Sequence, residues 1–309
     1  YVDSKYLGLG SLLTQPAGSA AAAPANVPVP FPTFPTFTAN TVAQALMPYP
    51  QYTAVNTGSE NDPVGSARFN SLQIKATKRY SNGLTLLAFW TWMKNMSTLP
   101  SYNGTVLYQY TPYRPITYSG DSPPSTLVVN WSYELPFGPG KKYVNSSSRA
   151  VRFLVGGWDI AGYVRYSSGN ALSFTVTNNL SIMGYGSKFA SYVAGAPIFG
   201  KTDPRNFDPA VDRYLAQGAF VVPPPYQFGN LAPNLDWVRG WTQKAEAISL
   251  GKAIPIKERL RAQFRAEINN PMNAVRWGDP NTSITSAAYG QVTSAADPRK
   301  IQLYLAVQF

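Results

Sequence analysis

The sequence predicts an all-β fold: an antiparallel transmembrane sheet of about seven long strands, an incomplete β-barrel, with long Pro- and Gly-rich loops on its outer side. Three observations predict it. Segments of strict period-two alternation recur along the chain. They are longer than the strands of an ordinary soluble sheet. The stretches between them are rich in Pro, Gly, Asn, Ser and Tyr. Composition narrows the chemistry. The 309 residues include 20 Tyr and 7 Trp but no Cys and no His, and only 15 acidic residues. Disulfide frameworks, thiol catalysis, zinc–thiolate sites and every triad or metal site that needs imidazole are excluded. No enzymatic activity, cofactor or metal is expected.

The alternation carries the strand assignments. Leu72, Ile74 and Ala76 share one face, against Ser71, Gln73, Lys75, Thr77 and Arg79 on the other. Ser81-Asn82-Gly83 supplies the positive φ of a tight hairpin. Leu84, Leu86, Ala88, Trp90 and Trp92 share the next face. Leu127, Val129, Trp131, Tyr133 and Leu135 then alternate with Thr126, Val128, Asn130, Ser132 and Glu134. Trp158, Ile160, Val164 and Tyr166 oppose Asp159, Arg165 and Ser167. Leu260, Ala262, Phe264, Ala266 and Ile268 oppose Arg261, Gln263, Arg265, Glu267 and Asn269. Ile301, Leu303, Leu305, Val307 and Phe309 oppose Lys300, Gln302, Tyr304 and Gln308. Each run is about 10–14 residues, against roughly 5–6 for an ordinary strand and about 9–11 for a tilted membrane-spanning one. Trp90, Trp92, Trp158 and Tyr80 stand near run ends, where an oily surface meets a wet one.

Residues 1–65 hold nine prolines and four charged residues, and read as one long surface loop. Proline has no N–H for a strand ladder. Residues 95–124 and 178–240 share that texture. The organisation is therefore 1–65, a Pro/Ala-rich outer loop region, followed by 66–309, the strands and loops of one barrel unit. The net charge is +11, but the cations are scattered. The densest sets are Lys75–Lys78–Arg79 and Lys257–Arg259–Arg261–Arg265, with no polybasic run of five or more. No nucleic-acid partner is expected, and these cations read as strand-face or membrane-rim residues.

Several phrases in order resemble the barrel region of TonB-dependent transporters of the Oar-like type. They include Lys78-Arg-Tyr-Ser-Asn-Gly-Leu84, Tyr133-Glu-Leu-Pro-Phe-Gly-Pro-Gly-Lys141, Gly156-Gly-Trp158, Tyr166-Ser-Ser-Gly169, Gln263-Phe-Arg-Ala-Glu267 and Pro298-Arg-Lys-Ile-Gln302. The resemblance covers residues 66–309. One phrase departs: Asn269-Asn-Pro-Met-Asn273 replaces an aromatic-rich one, so that strand should end at Pro271. The chain end is also similar to bacterial outer-membrane proteins. The alternating Leu305, Val307 and Phe309 would be the signal read by the barrel-assembly machinery.

What the resemblance implies is an outer-membrane location, outer-membrane lipid around the barrel, and a C-terminus in the periplasm. Strand direction then follows by parity. Residues 66–80 run inward, 84–94 outward, 125–135 inward and 152–177 outward, with a kink at Gly169. Residues 241–253 run inward to a turn at 254–257, 258–270 run outward and 298–309 inward. The long loops fall outside; the linker 136–151 is long for the inner side. Seven strands are odd and too few for a bacterial barrel. The expectation is a C-terminal part of a larger barrel. The remaining strands, an N-terminal plug and the plug's contact with the TonB complex would lie elsewhere in the full-length protein.

Candidate site residues follow from parity. Asp159, Arg165, Arg261, Arg265 and Glu267 should face the barrel lumen, either toward substrate or plug or paired across strands. Asp203, Asp208 and Asp212 could be a calcium loop or turn formers, since two precede Pro. Glu60 and Asp62 read as a solvated loop pair. The Tyr-rich stretch 102–113 reads as loop packing or a sugar-stacking surface. Six Asn-x-Ser/Thr sequons, at Asn95, Asn103, Asn130, Asn145, Asn179 and Asn281, read as chance in a Ser/Asn-rich chain. The functional expectation is the wall of an importer for an unidentified ligand, a carbohydrate or other nutrient. A passive porin or adhesion barrel and a secreted glycan-binding β-sandwich are the alternatives.

Overall fold

Strands form where the alternation is strict. The structure, a computed structural model, describes residues 2–53, 66–97, 117–118, 123–144, 148–174, 176, 189–232, 234–257 and 260–308. The strands are β1 (Ala67–Ser81), β2 (Leu84–Ser97), β3 (Thr117–Tyr118), β4 (Ser125–Glu134), β5 (Trp158–Ser167), β6 (Ala171–Leu172), β7 (Ser191–Tyr192), β8 (Phe220–Val221), β9 (Leu235–Arg239), β10 (Gln243–Lys257), β11 (Leu260–Asn269) and β12 (Lys300–Gln308). Seven long strands make one antiparallel sheet in the order β1-β2-β4-β5-β10-β11-β12, with β3 added at the end of β2. Among the described residues no ladder joins β1 to β12, so the sheet is an open wall. The β1–β2 hairpin turns on Asn82 (φ 52) and Gly83 (φ 82), both in the left-handed region that such a turn requires.

Three expected boundaries move. The strand expected to start at 152 does not: residues 152–155 belong to a helix, α2 (Arg149–Val155, following a first short helix α1, Val42–Ala45). Strand β5 begins only at Trp158, because 152–157 lacks alternation and ends in Gly156-Gly157. The linker folds compactly instead of sprawling. A β-bridge joins Phe137 to Tyr143, and Gly138 packs so closely on Gly156 that an added methyl would stand 2.7 Å from its Cα. The turn expected at 254–257 is strand. Strand β10 runs on through Pro255 to Lys257, where a register irregularity accommodates the missing N–H. Beyond Ser167 the chain leaves the sheet near Gly169, and β6 pairs with β9 in a separate small sheet. Strand β11 ends at Asn269, just before Pro271, as expected.

Register fixes the two faces. One carries Leu72, Ile74, Trp90, Leu127, Val129, Ile160, Leu250, Phe264, Leu303 and Leu305. The other carries Gln73, Thr91, Asn130, Ser132, Asp159, Ser249, Glu267 and Gln302. The apolar band does not follow the hydrogen-bonded rows. The row through Ile74, at the centre of the band on β1, passes Trp90, Leu127 and Tyr166 and reaches Lys244 on β10. Extended in register past the strand ends, it meets residue 297, whereas the band on β12 is centred near Leu303 and Leu305. The band thus slips about seven residues over the six strand pairs. With a rise of about 3.3 Å and a spacing of about 4.8 Å, that is a strand tilt of about 40°, as barrel closure requires. Stacked sheets in a sandwich keep strands within about 30° of one another and bury one face. Here Leu303 and Leu305 are 68% and 71% exposed.

The interior lies elsewhere. The most deeply buried large side chains are Phe34, Phe174, Phe220, Leu13, Leu215, Val2, Val42, Val238 and Val292, none of them on the seven long strands. All of these but Phe34 belong to one apolar cluster, drawn from described residues within 2–47, 172–241 and 277–292. The described part of the expected 1–65 loop is therefore not a plain surface loop. It coils into short 3-10 turns, Ser4–Thr14 and Ala20–Ala25, and seats Leu13, Ala22 and Val42 in that cluster. Proline removes one donor from a ladder but does not prevent packing.

Candidate functional site

The polar face places the five sequence-derived candidates on one surface. Asp159 pairs with Glu134 and Gly251, and Gly251 with Arg265, so the row Glu134–Asp159–Gly251–Arg265–Tyr304 crosses five strands. Gly251 leaves a gap into which the Asp159 carboxylate leans; a methyl at Gly251 would collide with Asp159 Oδ1. Glu267 sits one step further along, with Arg265 Nη1 3.7 Å from its Oε1. Arg165 lies between Val128 and Ala245, and Arg261 beside Gln308. Among the described residues, the ion pair within this set runs along β11, because Arg265 and Glu267 are two apart on one face.

Alternation missed other polar contacts. The register of β1 shifts between Lys78 and Ser81. That irregularity turns Tyr80 from the interfacial position expected of it to the polar face, where its hydroxyl donates to Glu134 (2.9 Å). Lys141 donates to the same carboxylate at 2.7 Å. On the apolar side, Lys252 occupies a position whose parity neighbours are Ile248, Leu250, Ile254 and Ile256. A charge at apolar parity was a visible signal. At the loop end of the wall, Arg276 pairs with Glu246, and Lys94 lies 3.8 Å from Asp236.

The loops that rise from that end form an ordered cap. Phe174 stacks on Phe220 at 4.1 Å, Tyr214 packs against Trp241 at 4.5 Å, and Phe207 meets both Trp241 and Trp277 at 5.4 Å. Arg213 clamps the cap by donating to the carbonyls of Ala287 and Tyr289. Tyr214 donates to the Arg239 carbonyl at 2.7 Å, and burial pushes its phenol up to about 12. Burial likewise pushes Tyr289 up to about 12. The aspartates of this region close turns. Asp203 accepts from the Arg205 N–H and the Asn206 amide, and Asp208 from the Ala210 N–H. Asp212 accepts from the Asp208 N–H and Lys201, and both Asp203 and Asp212 are held below the usual carboxylate range by those backbone donors first.

Leu305 and Val307 project from the apolar face of β12, exposed like Ile301 and Leu303. Phe309, Glu60, Asp62, Asn103, Asn145, Asn179 and the stretch 102–113 lie outside the described residues. Asn130 is mid-strand on β4 and Asn95 on β2. No helix among the described residues is long and apolar enough to cross a membrane, which says nothing about strands.

A family model described as an outer membrane beta barrel domain matches residues 6–302. The chain belongs to that family. Its place is the bacterial outer membrane, and the apolar face of the wall meets outer-membrane lipid. No curated protein and no solved structure matches the chain.

Proposed function

We propose that the wall is one part of a wider barrel belonging to a TonB-dependent importer of the Oar-like type, with no enzymatic step of its own. The observation that carries this reading is the pair of open edges on a strongly tilted wall. Among the described residues, strand β1 pairs only with β2, and β12 only with β11. In lipid each unpaired backbone group costs several kcal/mol, so both edges require further strands. The ordered phrases at residues 78–84, 133–141, 156–158 and 298–302 point to transporters of that type. Asp159, Arg165, Arg261, Arg265 and Glu267 would then line the lumen, facing a plug and the passing ligand. The aromatic-rich cap would take the ligand from outside. Leu305, Val307 and Phe309 would offer their alternating apolar strand to the barrel-assembly machinery.

The experiment compares two behaviours of the full-length protein. A plugged, TonB-driven importer gives no steady conductance in a planar bilayer, and its uptake of nutrient stops when a protonophore collapses the energising gradient. A passive porin conducts at once and ignores the protonophore. Steady conductance with protonophore-insensitive uptake would overturn the importer reading.

A further inference from the structure

The linker between β4 and β5 does more than connect. Helix α2 ends against the apolar face, not the polar one, and Lys252 holds it there. The Lys252 ammonium donates to the Gly156 carbonyl at 3.0 Å and the Leu154 carbonyl at 3.1 Å. It lies 4.3 Å from the centre of the Trp158 ring and 5.9 Å from that of Phe153. Trp158 Nε1 donates to the Leu154 carbonyl as well, at 2.9 Å. The free carbonyls at a helix C-terminus carry partial negative charge, so a cation is a favourable partner there. A lysine at apolar parity thereby satisfies its charge with protein and stays nearly buried, its stem along the wall.

Fastened in this way, the helix turns its large apolar side chains outward. Phe153 is 55% exposed and Leu154 66%, beside Ile256 at 51%. Phe153, Ile254 and Ile256 share the lining of one open hollow of about 1090 Å³ with Lys141 and Arg261 of the polar side, so the hollow sits at the rim where the two faces meet. Ile254 and Ile256 belong to the parity series that forms the lipid-facing band. These exposed side chains therefore continue an established lipid surface. They lie at the end of the wall with the short connections, which in this class of protein is the periplasmic one.

We propose that α2 is a membrane-interface foot. It seats Phe153 and Leu154 in the phospholipid leaflet on the short-connection side, and Lys252 ties it to the wall. The proposal rests on the outer-membrane reading of the sheet, so the test separates the two. The chain has no cysteine, so single labels are unambiguous. Leu154→Cys and, separately, Leu303→Cys are introduced into the full chain, coupled to an environment-sensitive fluorophore, and folded into vesicles of phosphatidylethanolamine and phosphatidylglycerol with brominated acyl chains. Both positions are exposed, and retained heat-modifiable gel mobility checks folding. The expected result is blue-shifted emission and loss of fluorescence at both sites. Quenching at 303 with an aqueous signal at 154 overturns the foot and leaves the wall in lipid. An aqueous signal at both overturns the membrane reading and the foot with it. Quenching at 154 alone overturns the continuity of foot and wall. In a Lys252→Met background the 154 label should lose its quenching while the 303 label keeps it; unchanged quenching at 154 overturns the tie.

Discussion

Tyr214 and Tyr289 show how single residues hold the cap together. Both phenols are buried, and both are pushed up to about 12 from an ordinary value of 10.0. The folded chain keeps protons that the unfolded chain releases sooner. Their contribution to stability is complete below pH 10 and is lost as pH rises toward about 12. Ultraviolet phenolate titration should show a late-ionising fraction that includes Tyr214 and Tyr289, with protease resistance of the cap failing in the same window. A single titration step near 10 would contradict this. Phe220, stacked on Phe174 and 2% exposed, offers a second residue-scale test. Phe220→Ala should destabilise the cap by about 3–5 kcal/mol, read as a lower cap melting temperature, with the sheet's heat-modifiable mobility retained. Neither residue's role was legible in the sequence. The segments that meet around them, within 2–47, 172–241 and 277–292, lie far apart in the chain, and their Pro- and Gly-rich texture carries no period. Tyr80 was misplaced for a related reason: a register shift at the end of β1 depends on the partner strand.

At the scale of elements, alternation located the long strands because a half-buried strand needs only its own two faces to be written in sequence. It failed where neighbours decide. Strand β10 continues through Pro255, which single-strand reasoning takes as a turn. Helix α2 stands where a strand was expected, because Gly156-Gly157 and the packing of Gly138 on Gly156 close the linker. The parity of β12 makes a direct prediction. Leu303→Arg, on the lipid face, should lower folding stability in lipid by about 2–4 kcal/mol if near mid-bilayer, whereas Gln302→Arg, one residue away, should be close to neutral. Heat-modifiable gel mobility after refolding would report the difference. Equal losses at both positions would contradict the face assignment. On the polar face, Gly251→Leu should displace the Asp159 carboxylate and fold in reduced yield, with no change in membrane partitioning.

For the whole molecule, the diagonal course of the apolar band matters most. It was invisible in separate strands, since a tilt appears only when six registers are laid side by side. It separates a barrel wall from a flat sheet, and it explains why the deepest burial sits in the loops while the long strands leave their oily side chains bare. The candidate polar residues were legible as a set, through parity. Their grouping around Gly251 was not, since it crosses five strands. The most direct test is a spin-label depth profile, with single cysteines along β1 and β12 of the full-length protein in lipid vesicles. The account predicts odd-numbered positions of β12 in acyl chains and even-numbered positions accessible to an aqueous relaxant. It also predicts Ile74 and Leu305 at one depth, although their hydrogen-bonded rows differ. No alternation, or a depth that follows the rows instead of the diagonal, would contradict it.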